Sequence, residues 1–249
     1  MDVQINGILS SLHSRHIHGI FAENSEDAVH KIMTLIPNDA VVGIGDSTTT
    51  TQLGIPQALK GRGTRVLDPF ERKRSQADPK DVFQWHTNML KKATVSDFFL
   101  TGTNAITLDG RLVNVDAVGN RVAGMFWGHP TSVIAVGRNK IVKDLDEAFY
   151  RIRNTIAPNH ARIRSVELGG RKSKTPCAVT GECSDCRAPD RICNIFTIIE
   201  SKPFFTDLNV VIVNEDLGLG WDPSWPKDRI TRILENYKKF VWVPIGKET

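Results

Sequence analysis

Ala40-Val-Val-Gly-Ile-Gly-Asp-Ser-Thr-Thr-Thr50 decides the architecture. Its first half is a short apolar, β-branched run of the kind that sits inside a sheet covered on both faces. Its second half is a polar loop, after which Thr51, Leu53, Ile55, Ala58 and Leu59 recur at helical spacing until Gly61-Arg-Gly63 stops them. Strand, polar loop and helix in that order make the repeating unit of an α/β sheet.

The unit recurs outward in both directions. Thr64–Leu67 and Asp97–Thr101 are further candidate strands, and between them Asp78, Pro79 and Asp81 read as N-cap, N1 and N3 of a helix ending near Ala93. Thr131–Val136 is a third buried run, and Asp144 with Glu147 forms a capping box for a helix from Leu145 to about Ile156. Ile195–Ile199 and Leu208–Val213 add two strands before a helix over Lys227–Phe240. Toward the N-terminus, Ile5, Ile8, Leu9 and Leu12 mark one helix and Ala28, Val29, Ile32, Met33 and Ile36 a second, capped by Asn24 or Ser25, so two helices precede the first strand. Asn120–Phe126 is a short helix, and Ala105–Val115 reads as a hairpin turning at Asp109-Gly110, a pair that suits a type I′ turn. The expectation is an α/β fold with a mixed, mostly parallel sheet and helices on both faces. N-terminal helices fill residues 1–38, an α/β domain fills 39–249, and a Cys-rich metal-binding loop lies at 171–194.

Composition sets outer limits on function. The chain has 249 residues, 40% hydrophobic and 24% charged, which excludes disorder and fibres. No apolar run approaches the roughly 18 residues of a membrane span and no leader pattern opens the chain, so a cytoplasmic protein is expected. A net charge of +4 favours anionic ligands without implying nucleic acid.

In an open α/β sheet, ligands bind outside the carboxyl ends of the strands. Four loops should therefore converge: Gly45–Thr49, Thr101–Asn104, Gly137–Lys140 and Asn214–Asp216. Asp46, Ser47, Thr48 and Thr49 open a helix and can cradle a phosphate or carboxylate with backbone N–H groups, or simply cap that helix. Thr103, Asn104, Asn114, Asp116 and Asn120 are short polar side chains able to bind a polyhydroxy or carboxylate ligand, with Arg121 as a bidentate fork for its anion; the plainer alternative is a hairpin satisfying its own turns. Arg138 and Lys140 end a strand with two cations, where a solvated loop is the ordinary explanation. His13, His16, His18, His86, His129 and His160 lack metal-binding spacing.

All four cysteines lie between Cys177 and Cys193, spaced C-x5-C-x2-C-x6-C at Cys177, Cys183, Cys186 and Cys193. Four thiolates in one loop can ligate one centre. The first expectation is a [4Fe–4S] cluster, with structural zinc and free or redox-active thiols as alternatives, since the spacing is neither a zinc ribbon nor a ferredoxin run. Arg171, Lys172, Lys174, Arg187 and Arg191 surround the segment and would offset cluster charge, or simply solubilise the loop.

The strings Thr101-Gly-Thr-Asn-Ala-Ile-Thr-Leu-Asp-Gly-Arg-Leu-Val-Asn-Val-Asp-Ala-Val-Gly-Asn-Arg-Val122 and Val136-Gly-Arg-Asn-Lys-Ile-Val-Lys-Asp-Leu-Asp-Glu-Ala148, followed by the cysteine run, resemble the LUD-domain (YkgG-type) lactate-utilisation proteins from about residue 20 to about residue 220. The resemblance implies a sheet like that of ribose-phosphate isomerase, glucosamine-phosphate deaminase and the CoA-transferases (the NagB/RpiA/CoA-transferase-like fold). It also implies a role beside iron–sulfur electron-transfer partner proteins in oxidising lactate or a related hydroxy- or oxo-carboxylate. The cysteines lie within the LUD-like stretch rather than in the ferredoxin-like tail of the larger lactate-utilisation subunits. The reading is thus a redox subunit binding a small anionic substrate near one cluster, with a homo-oligomer allowed. Its rival is a non-redox sugar-phosphate or CoA-type transferase or isomerase stapled by zinc, using Glu200 or Glu215.

Overall fold

The computed structural model describes residues 3–71, 79–168 and 173–243. In chain order these form α1 (Val3–Ser14), β1 (His18–Ala22), α2 (Ser25–Leu35), β2 (Val41–Ile44), α3 (Thr48–Gln52), α4 (Ile55–Gly61), β3 (Arg65–Leu67), α5 (Pro79–Thr94), β4 (Phe98–Gly102), β5 (Ala105–Thr107), β6 (Leu112–Asp116) and α6 (Asn120–Phe126). They continue as β7 (Thr131–Gly137), β8 (Ile141–Val142), α7 (Leu145–Arg151), α8 (Ala157–Arg162), α9 (Cys177–Thr180), β9 (Ile195–Ile199), β10 (Asp207–Val213) and α10 (Lys227–Phe240). A 3-10 turn at Arg138–Lys140 leaves β7, a π-helical turn at Ile152–Ile156 joins α7 to α8, and a second at Ile163–Glu167 extends α8, giving one continuous helical stretch.

Six strands lie in the order β1-β10-β7-β4-β2-β3, all parallel. Alternation along them sorts the core into two sides. Val211 and Val213 face Ala28 and Ile32 of α2 with Leu53 and Leu59, while Leu208, Val210 and Ile212 face Ile8 and Leu12 of α1, Met125 of α6 and part of a second sheet. Burying a side chain of this size contributes roughly 1.5–3 kcal/mol, so the two-sided sheet is the principal source of stability. The second sheet, β8-β5-β6-β9, is antiparallel at β5–β6 and β6–β9 and parallel at β5–β8. Its outer face is closed by Ile152, Ile156 and Ile163 of the long helix and by Ile233 and Tyr237 of α10.

Four expectations need correction. A strand, β1, separates the two N-terminal helices and pairs with β10 at the sheet edge; its half-exposed residues show no clean alternation. The helix expected over residues 51–59 is two helices, because Gly54 takes φ 68 and breaks it. The hairpin turns through three residues, with Thr107 facing Arg111 and only Gly110 at positive φ (84), so the type I′ turn is not formed. Helices do not cover one face alone, since the second sheet takes much of it. The helix starts mostly hold: Asn24 Oδ1 accepts from Asp27 N, and Asp144 Oδ1 accepts from Glu147 N, although Glu147 reaches Lys143 N rather than the cap itself. Asp78 lies outside the described residues.

Candidate functional site

Parallel pairing brings Ile44, Gly102, Gly137 and Val213 to the same edge of the sheet, so the loops after β2, β4, β7 and β10 do meet. The chain runs from β2 outward to β3 and then back across to β4 on the other side of β2. This reversal between β2 and β4 is where open parallel sheets form a crevice. Asp46–Thr49 and Thr103–Asn104 stand on its two sides.

Arg121 is the hub of this edge, and it is spent internally. Its Nη1 donates to Gly102 O (3.0 Å) and Asn114 Oδ1 (2.9 Å), and its Nη2 to Asn104 Oδ1 (3.0 Å) and Val115 O (2.6 Å). Its Nε faces Asp116 Oδ2 at 3.5 Å. Of the five N–H donors of a guanidinium, four are hydrogen-bonded within the protein and the fifth, on Nε, faces the Asp116 carboxylate. Asn114 Oδ1 also accepts from Thr103 Oγ1 and Asn104 N, and Asp116 Oδ1 accepts from Val118 N and Gly119 N. Asn120 opens α6 just after Gly119, which takes φ 99. The expected ligand-binding set of Asn104, Asn114, Asp116 and Arg121 is therefore a buried brace that ties β4, β6 and α6 together. Burial lowers the Arg121 pKa, against the pull of Asp116 and Asp46.

The loop after β2 divides its work between neighbouring side chains. Ser47 caps α3, its Oγ accepting from Thr50 N, and α3 is only five residues long. Thr49 Oγ1 accepts from Lys140 Nζ at 2.8 Å. Thr48 bonds Tyr237, whose hydroxyl lies 2.5 Å from His160 Nδ1. Arg164 Nη1 donates to His160 Nε2 at 2.9 Å, which fixes the proton on Nδ1 and directs it to Tyr237. Burial, with Arg164 and Arg121 adding to it, holds His160 well below its usual pKa and therefore neutral. Burial also raises Tyr237, and it raises Asp46 against the opposing charges of Arg164 and Arg121. Trp242 stacks on His86 (5.5 Å between centroids), meets Phe70 edge-on and lies 5.1 Å from the Arg164 guanidinium.

Two other expectations resolve into structural roles. Arg138 is half-exposed and pairs with Asp216 (3.3 Å), which Arg229 also holds at 2.7 Å, so it is not aimed at the crevice. Glu215 accepts from Ser25 N and Oγ, anchoring the start of α2, and Glu200 pairs with Arg15 and Arg111 at the surface. Neither glutamate is placed for the acid–base work the rival reading needs.

The cysteines form a second centre. All four are free, partly buried thiols. They line one enclosed cavity with Ile152, Ala157, Pro158 and Phe196 as apolar walls and Arg153 and Arg191 at its side. Arg191 Nε donates to Cys193 Sγ (3.2 Å) while its Nη1 binds Cys186 O and its Nη2 binds Asp185, so one side chain laces the loop across three positions. Burial pushes the Cys177 thiol up, with the other three cysteines adding to it and a hydrogen bond with Thr175 opposing it. Among the described residues no three His, Cys, Asp or Glu side chains are arranged to hold a metal ion. Arg171 and Lys172, expected near the loop, lie outside the described residues. The loop is tied to the sheet directly: Asn194 N donates to Asp116 O, and Ile195 sits opposite Asp116 where β9 pairs with β6.

A sequence model of the LUD domain matches residues 5–213. The chain belongs to the LUD-domain family. That family is associated with lactate utilisation. A crystal structure of a DUF162 family protein from Deinococcus radiodurans is similar over 84% of this LUD chain and 94% of that one, at 16% identity and a TM-score of 0.41. No curated protein sequence matches it. None of the helices among the described residues is long and apolar enough to cross a membrane.

Sequence reasoning underrated three groups in this LUD domain. Lys140 stood in an expected loop, but its burial depends on the turn after β7 folding back over α3. His160 and Tyr237 are far apart in sequence, and only the packing of α10 on the long helix joins them. The helical spacing of Ile230, Ile233, Leu234 and Tyr237 was the one available signal, and it showed a buried face without showing a hydroxyl to be satisfied there.

Proposed function

We propose that this chain is a cytoplasmic redox protein of lactate-type metabolism, which binds a small hydroxy- or oxo-carboxylate at the carboxyl edge of its parallel sheet and carries a [4Fe–4S] cluster on Cys177, Cys183, Cys186 and Cys193. The observation that carries it is the enclosed, largely apolar cavity lined by all four thiols. Four soft thiolates turned toward one cavity are the ligand set of a single thiolate-bound centre, and their irregular spacing is not that of a zinc ribbon. Such a cluster, when bound, supplies one-electron transfer. The chain's own contribution is local: Ile152, Ala157, Pro158 and Phe196 exclude water, and Arg153 and Arg191 set positive charge beside the sulfurs, with the Arg191 hydrogen bond to Cys193 favouring the more reduced state. The crevice at the β2–β4 reversal is also where the likeness to the ribose-phosphate isomerase and CoA-transferase sheets directs attention for an anionic substrate.

Purification without oxygen, followed by iron, zinc and acid-labile sulfide analysis with a visible spectrum, tests this. About four irons and four sulfides per chain are expected. One zinc and no sulfide overturns the redox reading and makes the loop a structural staple.

A further inference from the structure

One wall of the cysteine cavity is a limb of the loop, Glu182–Ala188, which carries Cys183, Ser184 and Cys186 into the lining. Among the described residues, its backbone hydrogen bonds go to Thr180 just before it and to Arg191 just after it. The link from this limb to the helical wall is one of charge. Asp185 Oδ1 accepts from Arg191 Nη2 at 3.0 Å and faces Arg153 Nη1 at 3.5 Å. Arg153 belongs to the π-helical turn Ile152–Ile156, and its guanidinium lies 5.3 Å from the centre of the Phe196 ring, a further part of the same lining.

One carboxylate oxygen in the C-x2-C spacer therefore joins two cations from different parts of the chain, one on the helix and one at the base of the loop. Asp185 makes this junction from φ 49, a left-handed conformation that Asp tolerates better than most residues but does not prefer. Upstream, Gly181 takes φ 79 with open space around its α-carbon, a place where the limb can pivot. Beyond each pivot the loop is fixed, by α9 on one side and by the pairing of β9 with β6 on the other. Exposed ion pairs of this kind are individually weak, and salt weakens them further. They hold a part that has to move better than they hold a fold.

We propose that Glu182–Ala188 is a door to the thiol cavity, latched by Asp185 onto Arg153 and Arg191. What the door admits rests on the function proposed above; the latch itself does not. Breaking the two ion pairs frees the limb to swing about Gly181, which carries Cys183 and Cys186 away from Cys177 and Cys193 and opens the cavity to solvent. Closing gathers the four thiols into one chamber again and returns both guanidiniums to its side, where Arg191 Nε reaches Cys193 Sγ at 3.2 Å. Asp185 is thus a positioning residue, acting on the sulfurs through the two arginines it holds.

Alkylation of the metal-free chain by iodoacetamide, timed and followed by peptide mass mapping, tests the proposal. The reagent is neutral, so its own approach is indifferent to surface charge. Asp185→Asn is expected to speed labelling of the four thiols about twofold to tenfold, which is what two exposed ion pairs can hold shut, and Arg153→Gln to speed it as well. The second variant separates a latch from plain electrostatics. Losing an acidic neighbour makes thiols ionise more readily and losing a basic one makes them ionise less, so charge alone moves the two variants in opposite directions. Labelling of the unaltered chain should also rise between about 0.02 M and 0.5 M salt, and if neither variant folds, this series decides. Variant rates that move in opposite directions, or rates that neither substitution nor salt changes, overturn the door. Because the chain is metal-free, that failure leaves the iron and sulfide count standing, and one zinc found there leaves the latch standing.

Discussion

The two polar centres of this chain are built on opposite principles. Around Arg121, every N–H of the guanidinium meets an acceptor in the protein, and the carboxylate and amides facing it are shared with neighbouring backbone. Around Cys177–Cys193, four thiols face a cavity, and their contacts with the fold are those of Cys177 with Thr175 and of Cys193 with Arg191. A buried network that satisfies itself fixes strand ends in place; the cysteine loop instead turns its thiols toward a cavity. The density of polar residues at 101–121 suggested a ligand site, yet that density serves the scaffold, and the reactive groups lie next to it.

The largest test of this contrast is Arg121→Met. Removing one member of a buried charged network takes a donor from Asn104, Asn114 and two carbonyls and the counter-charge from Asp116, and should cost about 3–5 kcal/mol. For a chain of this size that lowers Tm by about 10 °C or more, read by calorimetry. A loss below about 1 kcal/mol would mean that water replaces the guanidinium and that the brace is not one. Gly218→Ala comes next. Its Cβ would meet Lys140 Nζ and Thr49 Oγ1 at 2.6 Å each on a residue with φ 69, so about 1–3 kcal/mol is expected in denaturant unfolding. An unchanged midpoint would show that the packing of Gly218 against Lys140 and Thr49 yields easily. Cys186→Ser should move the metal-free protein least, within about 0.5 kcal/mol, because a half-buried thiol that forms no bond in the fold has little to lose. A large destabilisation there would put the cysteine loop on the same footing as the Arg121 brace.

The sequence carried most of the sheet. Val41–Ile44, Phe98–Gly102, Thr131–Gly137 and Asp207–Val213 are apolar and β-branched because both of their faces are covered, and such runs announce themselves without knowledge of their partners. β1 was not legible, since an edge strand covered on one side has no such run to show. The four loops at the strand ends were legible as a group, because their convergence follows from parallel pairing alone. What each residue does there was not. Whether Arg121 meets a ligand or five internal acceptors depends on the distance between β4 and β6, which no local pattern records. The lowered pKa of Lys140 likewise depends on its burial beside Arg121, a property of the packed whole.

The anchoring of the cysteine loop has one more consequence. Its downstream end is zipped onto β6 through Asn194 and β9, and its upstream end is held by α9 against α8, where Ala178 is buried. The thiols are gathered by strand pairing and helix packing. On the proposed cluster reading, Cys186→Ser would then empty the cavity without unravelling the strand and helix that frame it, so the container and its contents would be lost separately.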